Sequence, residues 1–313
     1  MTDSLTTTTS NAHAYLAALP DILGGDERFK TVLDRLTVMS ERDYYDPYKL
    51  FVWPESIPED GYWMTPELMS VHGTEAGASL EQAQLRALSK WESVTFYSLN
   101  VHGIRELLTS IVARIHMPGF EVASEYFHHI IGEENDHMWF FAKFCLLYAG
   151  KVYPDRSLSF AGPGIPEADT FLLFARLLIF EELVDVFNQR MGEDQRLAPT
   201  IRKINSVHHQ DESRHIAFGR QIVALLHRDL RTRLDTAQLA ELERYLKAYM
   251  RASVESLCNP AAFRDAGIPE PFAVRRAVIE DPAFQEHAAR ILKRSTSHMV
   301  SEGIFTDERT VAA

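Results

Sequence analysis

The chain has 313 residues, 46% hydrophobic and 11% aromatic, with 32 basic against 44 acidic residues and a net charge of −12. That is enough apolar material for one large core with appended segments. The acidic balance, with no run of Lys or Arg, argues against nucleic acid or an anionic membrane surface as partner. Two cysteines, Cys145 and Cys258, form neither a zinc nor a disulfide pattern and fit a reducing compartment. The first residues lack the basic and apolar regions of a signal peptide. No apolar run approaches the ~18 residues needed to span a bilayer. The expected location is the cytoplasm.

In chain order, residues 1 to about 25 are Ser/Thr-rich and read as a disordered tail ahead of a single domain over 26–313. Phe29, Val32, Leu33, Leu36 and Met39 recur at helical spacing and predict a first amphipathic helix ending near Arg42. From 43 to 77, four prolines and many Tyr and Trp residues predict an irregular arm that packs on something. Ser79, followed three residues later by Gln82, is a helix-start signal, and the next helix runs to about 115. Met117-Pro118-Gly119 is a turn. A second long helix over about 120–148 stops at Gly150, and a third over about 167–190 stops at Met191-Gly192. A fourth spans about 196–228. Further helices follow at about 236–257 and 282–300, separated by a stretch punctuated by Pro260, Pro269 and Pro271. No strand-like alternation and no repeat of 20 to 50 residues is present. The chain reads as all-α, with four long helices in a core of about 79–229 and extra helices at both ends.

The chemistry concentrates in the fourth helix. His208, Glu212 and His215 are four and three residues apart, so they share a stripe with Ile201, Ile204, Phe218 and Ile222. Buried imidazoles and a carboxylate need strong partners, which a metal ion supplies. The second helix repeats the pattern with Glu134 and His137. Four-helix di-iron and di-manganese carboxylate proteins take a Glu-x-x-His from each of two helices and a Glu from each of the other two. The third helix offers Glu181, with Glu182 as the alternative, inside an apolar run. The first offers Glu92 or Glu106. A turn near Pro118 sets Glu134 opposite about residue 102, which favours Glu106; otherwise Glu106 is a surface acid pairing with Arg105 or Arg114.

The expected site is therefore Glu106, Glu134, His137, Glu181, Glu212 and His215, with His208 in addition to the basic pattern. Carboxylates with imidazoles favour iron or manganese over calcium or magnesium, and iron suits O₂ activation. Asp136 and Asp211 lie on other helical faces and read as supporting or surface acids. His116, His128, His129 and His227 read as surface or core residues.

Two Glu-x-x-His helices, a mid-helix Glu between them and a histidine four residues before the last Glu resemble the p-aminobenzoate N-oxygenase (AurF-type) di-iron family, over roughly residues 80–230. The extra histidine, here His208, separates that family from other ferritin-like oxygenases. The interval from Glu181 to Glu212 matches the family; that from Glu106 to Glu134 is somewhat shorter than the family shows. The resemblance implies a ferritin-like four-helix bundle and two iron ions with O₂ as co-substrate. It also implies oxidation of a small amine to a hydroxylamine, nitroso or nitro product, electrons from an external donor, and a homodimer. An aromatic amine in a specialised pathway such as antibiotic biosynthesis is the expected substrate. Its pocket is expected between the third helix and the aromatic arm, with Arg105, Arg176 or Arg294 binding a substrate carboxylate.

Other readings stay open at this level. A di-iron C–H hydroxylase or desaturase needs only the six basic ligands, so His208 is the discriminator. A radical-storing reductase subunit normally carries a tyrosine four residues after the first motif's histidine, where this chain has Phe141. A ferritin-like iron-binding protein is the non-enzyme alternative.

Overall fold

The computed structural model describes residue 19, residues 21–155 and residues 162–309. Among the described residues, the helices of six residues or more are α1 (Glu27–Arg42), α2 (Gln82–Val112), α3 (Ser124–Ala149), α4 (Asp169–Glu193), α5 (Pro199–Arg233), α6 (Thr236–Leu257), α7 (Pro260–Asp265), α8 (Pro271–Glu280) and α9 (Pro282–Ser301). Among the described residues there is no strand, only an isolated bridge between Tyr62 and Leu197. None of the helices there is long and apolar enough to cross a membrane.

The caps explain most helix boundaries. Asp26 accepts the amide of Phe29 at 2.8 Å and opens α1. A capping box of Glu81 and Gln84 starts α2. The expected cap, Ser79, instead closes the preceding single turn, Glu75–Ala78. Gly150, at φ 70°, ends α3 in the left-handed conformation that a residue with a Cβ resists. The expected stop at Met191-Gly192 does not occur, and α4 runs on to Glu193. A Cβ on Gly192 would lie 2.6 Å from Ser206 Oγ and 3.2 Å from Ser206 N, so this glycine allows close backbone approach between helices. Pro260 and Pro271, read as breaks, each open a helix; the first turn tolerates proline because its N–H has no partner there anyway. Of the tail expected over residues 1–25, residues 21–24 are helical and Leu19 and Leu23 are fully buried, while residues 1–18 and 20 lie outside the described residues.

Cross-helix contacts set the topology. Tyr97 stacks on Phe141 and Val94 O accepts from Cys145 Sγ, making α2 and α3 antiparallel. Phe96 stacks on Phe187 and Gly103 meets Phe180, making α2 and α4 antiparallel. His209 bonds to Asp185 and Arg220 to Glu182, while His137 bonds to Asp211 and His215 to Glu133, so α5 is antiparallel to both α4 and α3. This arrangement requires the α3–α4 connection to travel the length of the bundle, which is the single long crossover of a ferritin-like fold. Outside this core, α1 packs on α3 and α5, while α6 and α9 pack on α4. The aromatic arm lies along α3, where Phe51 meets Phe140, Trp63 meets Phe144 and Trp53 meets Trp139.

Gly192→Val should destabilise the protein by about 1–3 kcal/mol through overpacking between α4 and α5. An unchanged urea midpoint would show that the two backbones are not in close contact there.

Candidate metal centre

Four ligand atoms from α3 and α5, one each from Glu134, His137, Glu212 and His215, all lie within 4.8 Å of one another, and all four residues are buried. The two Glu-x-x-His motifs meet because α3 and α5 are antiparallel, which turns each motif's stripe toward the other. His137 Nδ1 is 3.4 Å from Glu134 Oε2 and 3.4 Å from Glu212 Oε1, and His215 Nδ1 is 2.8 Å from Glu134 Oε1. His208, one turn before Glu212, brings Nε2 to 2.8 Å from Glu212 Oε1. From α4, Glu181 joins them: the charges of Glu212 and Glu134 act on its carboxyl.

Despite these close approaches, the inward-facing atoms lack well-directed hydrogen bonds. Both oxygens of Glu134 and Glu212, Glu181 Oε1, Nδ1 of His137 and His215, and Nε2 of His208 are buried without one. Such a convergence of lone pairs is costly unless cations fill it. Three carboxylates and three imidazoles form a donor set that suits iron or manganese. The residues present therefore fit a metal centre.

The outward-facing atoms are held. His137 Nε2 donates to Asp211 Oδ2 at 3.0 Å and His215 Nε2 donates to Glu133 Oε2 at 2.7 Å, which leaves each Nδ1 lone pair facing inward. His208 Nδ1 lies against the Asn188 amide nitrogen, while the amide oxygen has no partner; with the amide turned over so that its oxygen accepts from Nδ1, Nε2 is likewise free to ligate. Asp211 also accepts from the Tyr45 hydroxyl at 2.9 Å and from Arg214 Nη2 at 2.6 Å. Arg214, itself buried, bonds Glu133 Oε1 at 2.5 Å and donates from Nε to Ser40 Oγ at 3.0 Å. Thus α1 and the first residues of the arm hold the acids that orient the histidines.

A match to the family model for p-aminobenzoate N-oxygenase AurF covers residues 26–302. The chain belongs to this family. It is accordingly an oxygenase, and its buried Glu/His cluster could hold a metal ion. A search of curated proteins finds no match. Two solved structures are similar at 14% identity, covering 82% of this chain and 92% of theirs, with TM-scores of 0.45 and 0.42. Both are variants of an R2-like ligand-binding oxidase with an anaerobically reconstituted Mn/Fe cofactor.

Of the seven residues expected in the AurF-family centre, the structure brings six together and leaves one outside. Glu106 is exposed and lines a groove of about 440 Å³ between α2, α4 and α6, with Arg105 and Arg176. Its level along the bundle is near that of Glu134, but its side chain leaves the opposite face of α2. Its alternative, Glu92, is buried elsewhere; Ser70 donates to it from both N, at 3.0 Å, and Oγ. Burial raises the Glu92 carboxyl to about 7, against the pull of those bonds. Glu182 pairs with Arg220 on the far side of α4.

The arginines expected to meet substrate are otherwise engaged, Arg294 with Asp185, Arg105 with Asp155 and Arg176 with the Tyr245 hydroxyl. The aromatic arm does not line the space beside the centre. That space is a cavity of about 30 Å³ among Leu107, Ile111, Ile130 and Phe174, reaching Glu181 and His215. Sequence reading took Asp211 as a supporting or surface acid and missed Glu133, Arg214, Asn188 and Tyr45. Glu133 and Arg214 sit beside the motif residues, where adjacency hinted at a role without giving a partner.

Burial disfavours a charged His137, but Asp211 and Glu134 outweigh that and raise it to about 10. Burial and the neighbouring carboxylates push Glu181 well above the usual range. Protons thus take the place of cations when metal is removed. The sign follows from a raised histidine: the stability it adds to chelated protein is complete below pH 6.5 and lost as pH rises toward about 10. Metal affinity should move the other way, increasing with pH as ligand protons leave. Urea midpoints of chelated protein across this window test the point; a midpoint that rises with pH would contradict it.

Arg214→Leu leaves Glu133 and Asp211 buried without their cation. The expected cost is about 3–5 kcal/mol of stability, with metal affinity down about 10–100-fold as the histidines lose their orientation. Calorimetry and metal titration read the two effects separately.

Proposed function

We propose that the protein is an O₂-dependent N-oxygenase that oxidises a small aromatic amine to a hydroxylamine, nitroso or nitro product, with iron ions as its metals. The observation that carries this reading is the third imidazole: His208 adds a ligand beyond the two Glu-x-x-His motifs, within a chain matched to the N-oxygenase family over 26–302. Bound iron would supply O₂ reduction and electron transfer. Glu134, His137, Glu181, His208, Glu212 and His215 would hold it. Asp211, Glu133 and Asn188 would fix the imidazole orientations. The apolar walls from Leu107 to Phe174 would keep water from the reacting nitrogen.

Leu177 borders both the cavity and the larger groove. An aromatic amine is larger than the 30 Å³ cavity, so we infer entry from the groove past Leu177. Electrons would come from an external donor, and a homodimer remains part of the proposal.

The test is incubation of iron-loaded protein with a chemical reductant, O₂ and a panel of arylamines, followed by mass spectrometry. Hydroxylamine, nitroso or nitro products from wild type, reduced at least about 100-fold in His208→Ala, are expected. Untouched amines together with hydroxylated or desaturated carbon products would overturn the reading in favour of a C–H oxidase.

A further inference from the structure

The four-helix pattern calls for a carboxylate from α2, and α2 does not deliver one. Its acids are Glu92, bonded to Ser70, and Glu106, exposed in the groove. The position that faces the centre can be found from register. Tyr97 stacks on Phe141 and receives a hydrogen bond from Asn205 Nδ2 at 2.8 Å, so it faces the bundle interior below the centre. Leu107 and Ile111 line the cavity with Glu181 and His215, so they face the interior at and above it. Residues 97, 100, 104, 107 and 111 alternate by three and four and form one stripe, every one buried.

Between those landmarks lie Asn100 and Ile104. Extending the pairing of Val94 with Cys145 and Tyr97 with Phe141 sets Ile104 level with Glu134. Ile104 is 1% exposed. Asn100 gives its Nδ2 to Phe96 O and offers only a neutral amide oxygen. Glu106 is two residues past Ile104, a rotation of about 200°, which explains why it leaves the opposite face.

We propose that Ile104 occupies the α2 ligand position and makes the centre unequal, with one metal ion held tightly and a second held weakly. Glu134, His137, Glu212 and His215 converge closely enough to hold one ion without help from α2. A second ion would have to share these carboxylates, because Glu181 and His208 are the only further donors and α2 adds none. An ionised carboxylate at position 104 would bring the fourth helix into the set. The consequence is a protein whose metal pair assembles only when free metal is abundant, and which carries a single ion when metal is limiting. The inference rests on the metal-centre reading and is independent of which substrate is oxidised.

The test is titration of chelated full-length protein with Mn(II), read by elemental analysis after gel filtration and by electron paramagnetic resonance. Wild type should retain one ion per chain with an isolated-ion spectrum and take up the second at least about tenfold more weakly. Ile104→Glu, with Ile104→Asp as a shorter alternative should the first not fold, should strengthen the second ion at least tenfold and yield a spin-coupled pair. Two ions of equal affinity in wild type overturn the proposal. So does a folded Ile104→Glu whose second ion binds no tighter than in wild type. A protein that binds no metal at all would overturn the oxygenase reading as well, while a normal metal profile without amine oxidation would overturn only the proposed substrate.

Discussion

Everything near the centre of this molecule depends on one constraint: carboxylates and imidazoles converge where no water reaches. Glu134, Glu212 and His137 are fully buried, and their inward atoms have no hydrogen-bond partner. A bundle core of Phe, Leu and Ile would be more stable with apolar residues at these positions unless cations compensate. Stability and metal binding are therefore a single property here. Removal of the cation forces protons into the cluster, which is why His137 and His215 are drawn toward their charged forms and Glu181 toward its neutral one.

The second requirement is orientation. A histidine ligates with one nitrogen only if the other is held, and in this chain the holders are acids from the same two helices, Asp211 for His137 and Glu133 for His215. These acids are in turn bridged by Arg214; burial acts to raise both, but the hydrogen bond and charge of His137 on Asp211 and of His215 on Glu133, with a smaller contribution from Arg214, keep them below the usual carboxylate range. Tyr45 and Ser40 extend the network to the N-terminal segment. The segment outside the four-helix core thus contributes directly to the shape of the metal site.

The surroundings divide by chemistry. On the α5 side the centre is backed by this charged network, and on the α2 side by Ile104, Leu107 and Ile111. The apolar side adjoins the cavity and, past Leu177, the groove that holds Glu106, Arg105 and Arg176. This polarity leaves an apolar approach to a centre that is held electrostatically from behind.

The sequence by itself determined the helical class, the four long core helices and the two Glu-x-x-His motifs, because helical periodicity and i, i+3 and i, i+4 spacing are local properties. The α6 helix was legible to the residue, and the ends of α2 and α4 were missed by a few, since Ser79 and Gly192 serve turn closure and helix contact rather than capping. What the sequence could not decide was rotation. Glu106 stands close to the right level, yet a displacement of two residues turns it to the outer face, and only the packing of α2 on α3 and α4 shows that Ile104 takes the inward place. Glu181 and Glu182 are likewise adjacent and chemically identical; the angle at which α4 meets α5 sends one to Glu212 and the other to Arg220. The partners of Asp211, Glu133 and Asn188 were equally hidden, because bonds across residues 45, 137, 208 and 214 exist only once the helices are assembled.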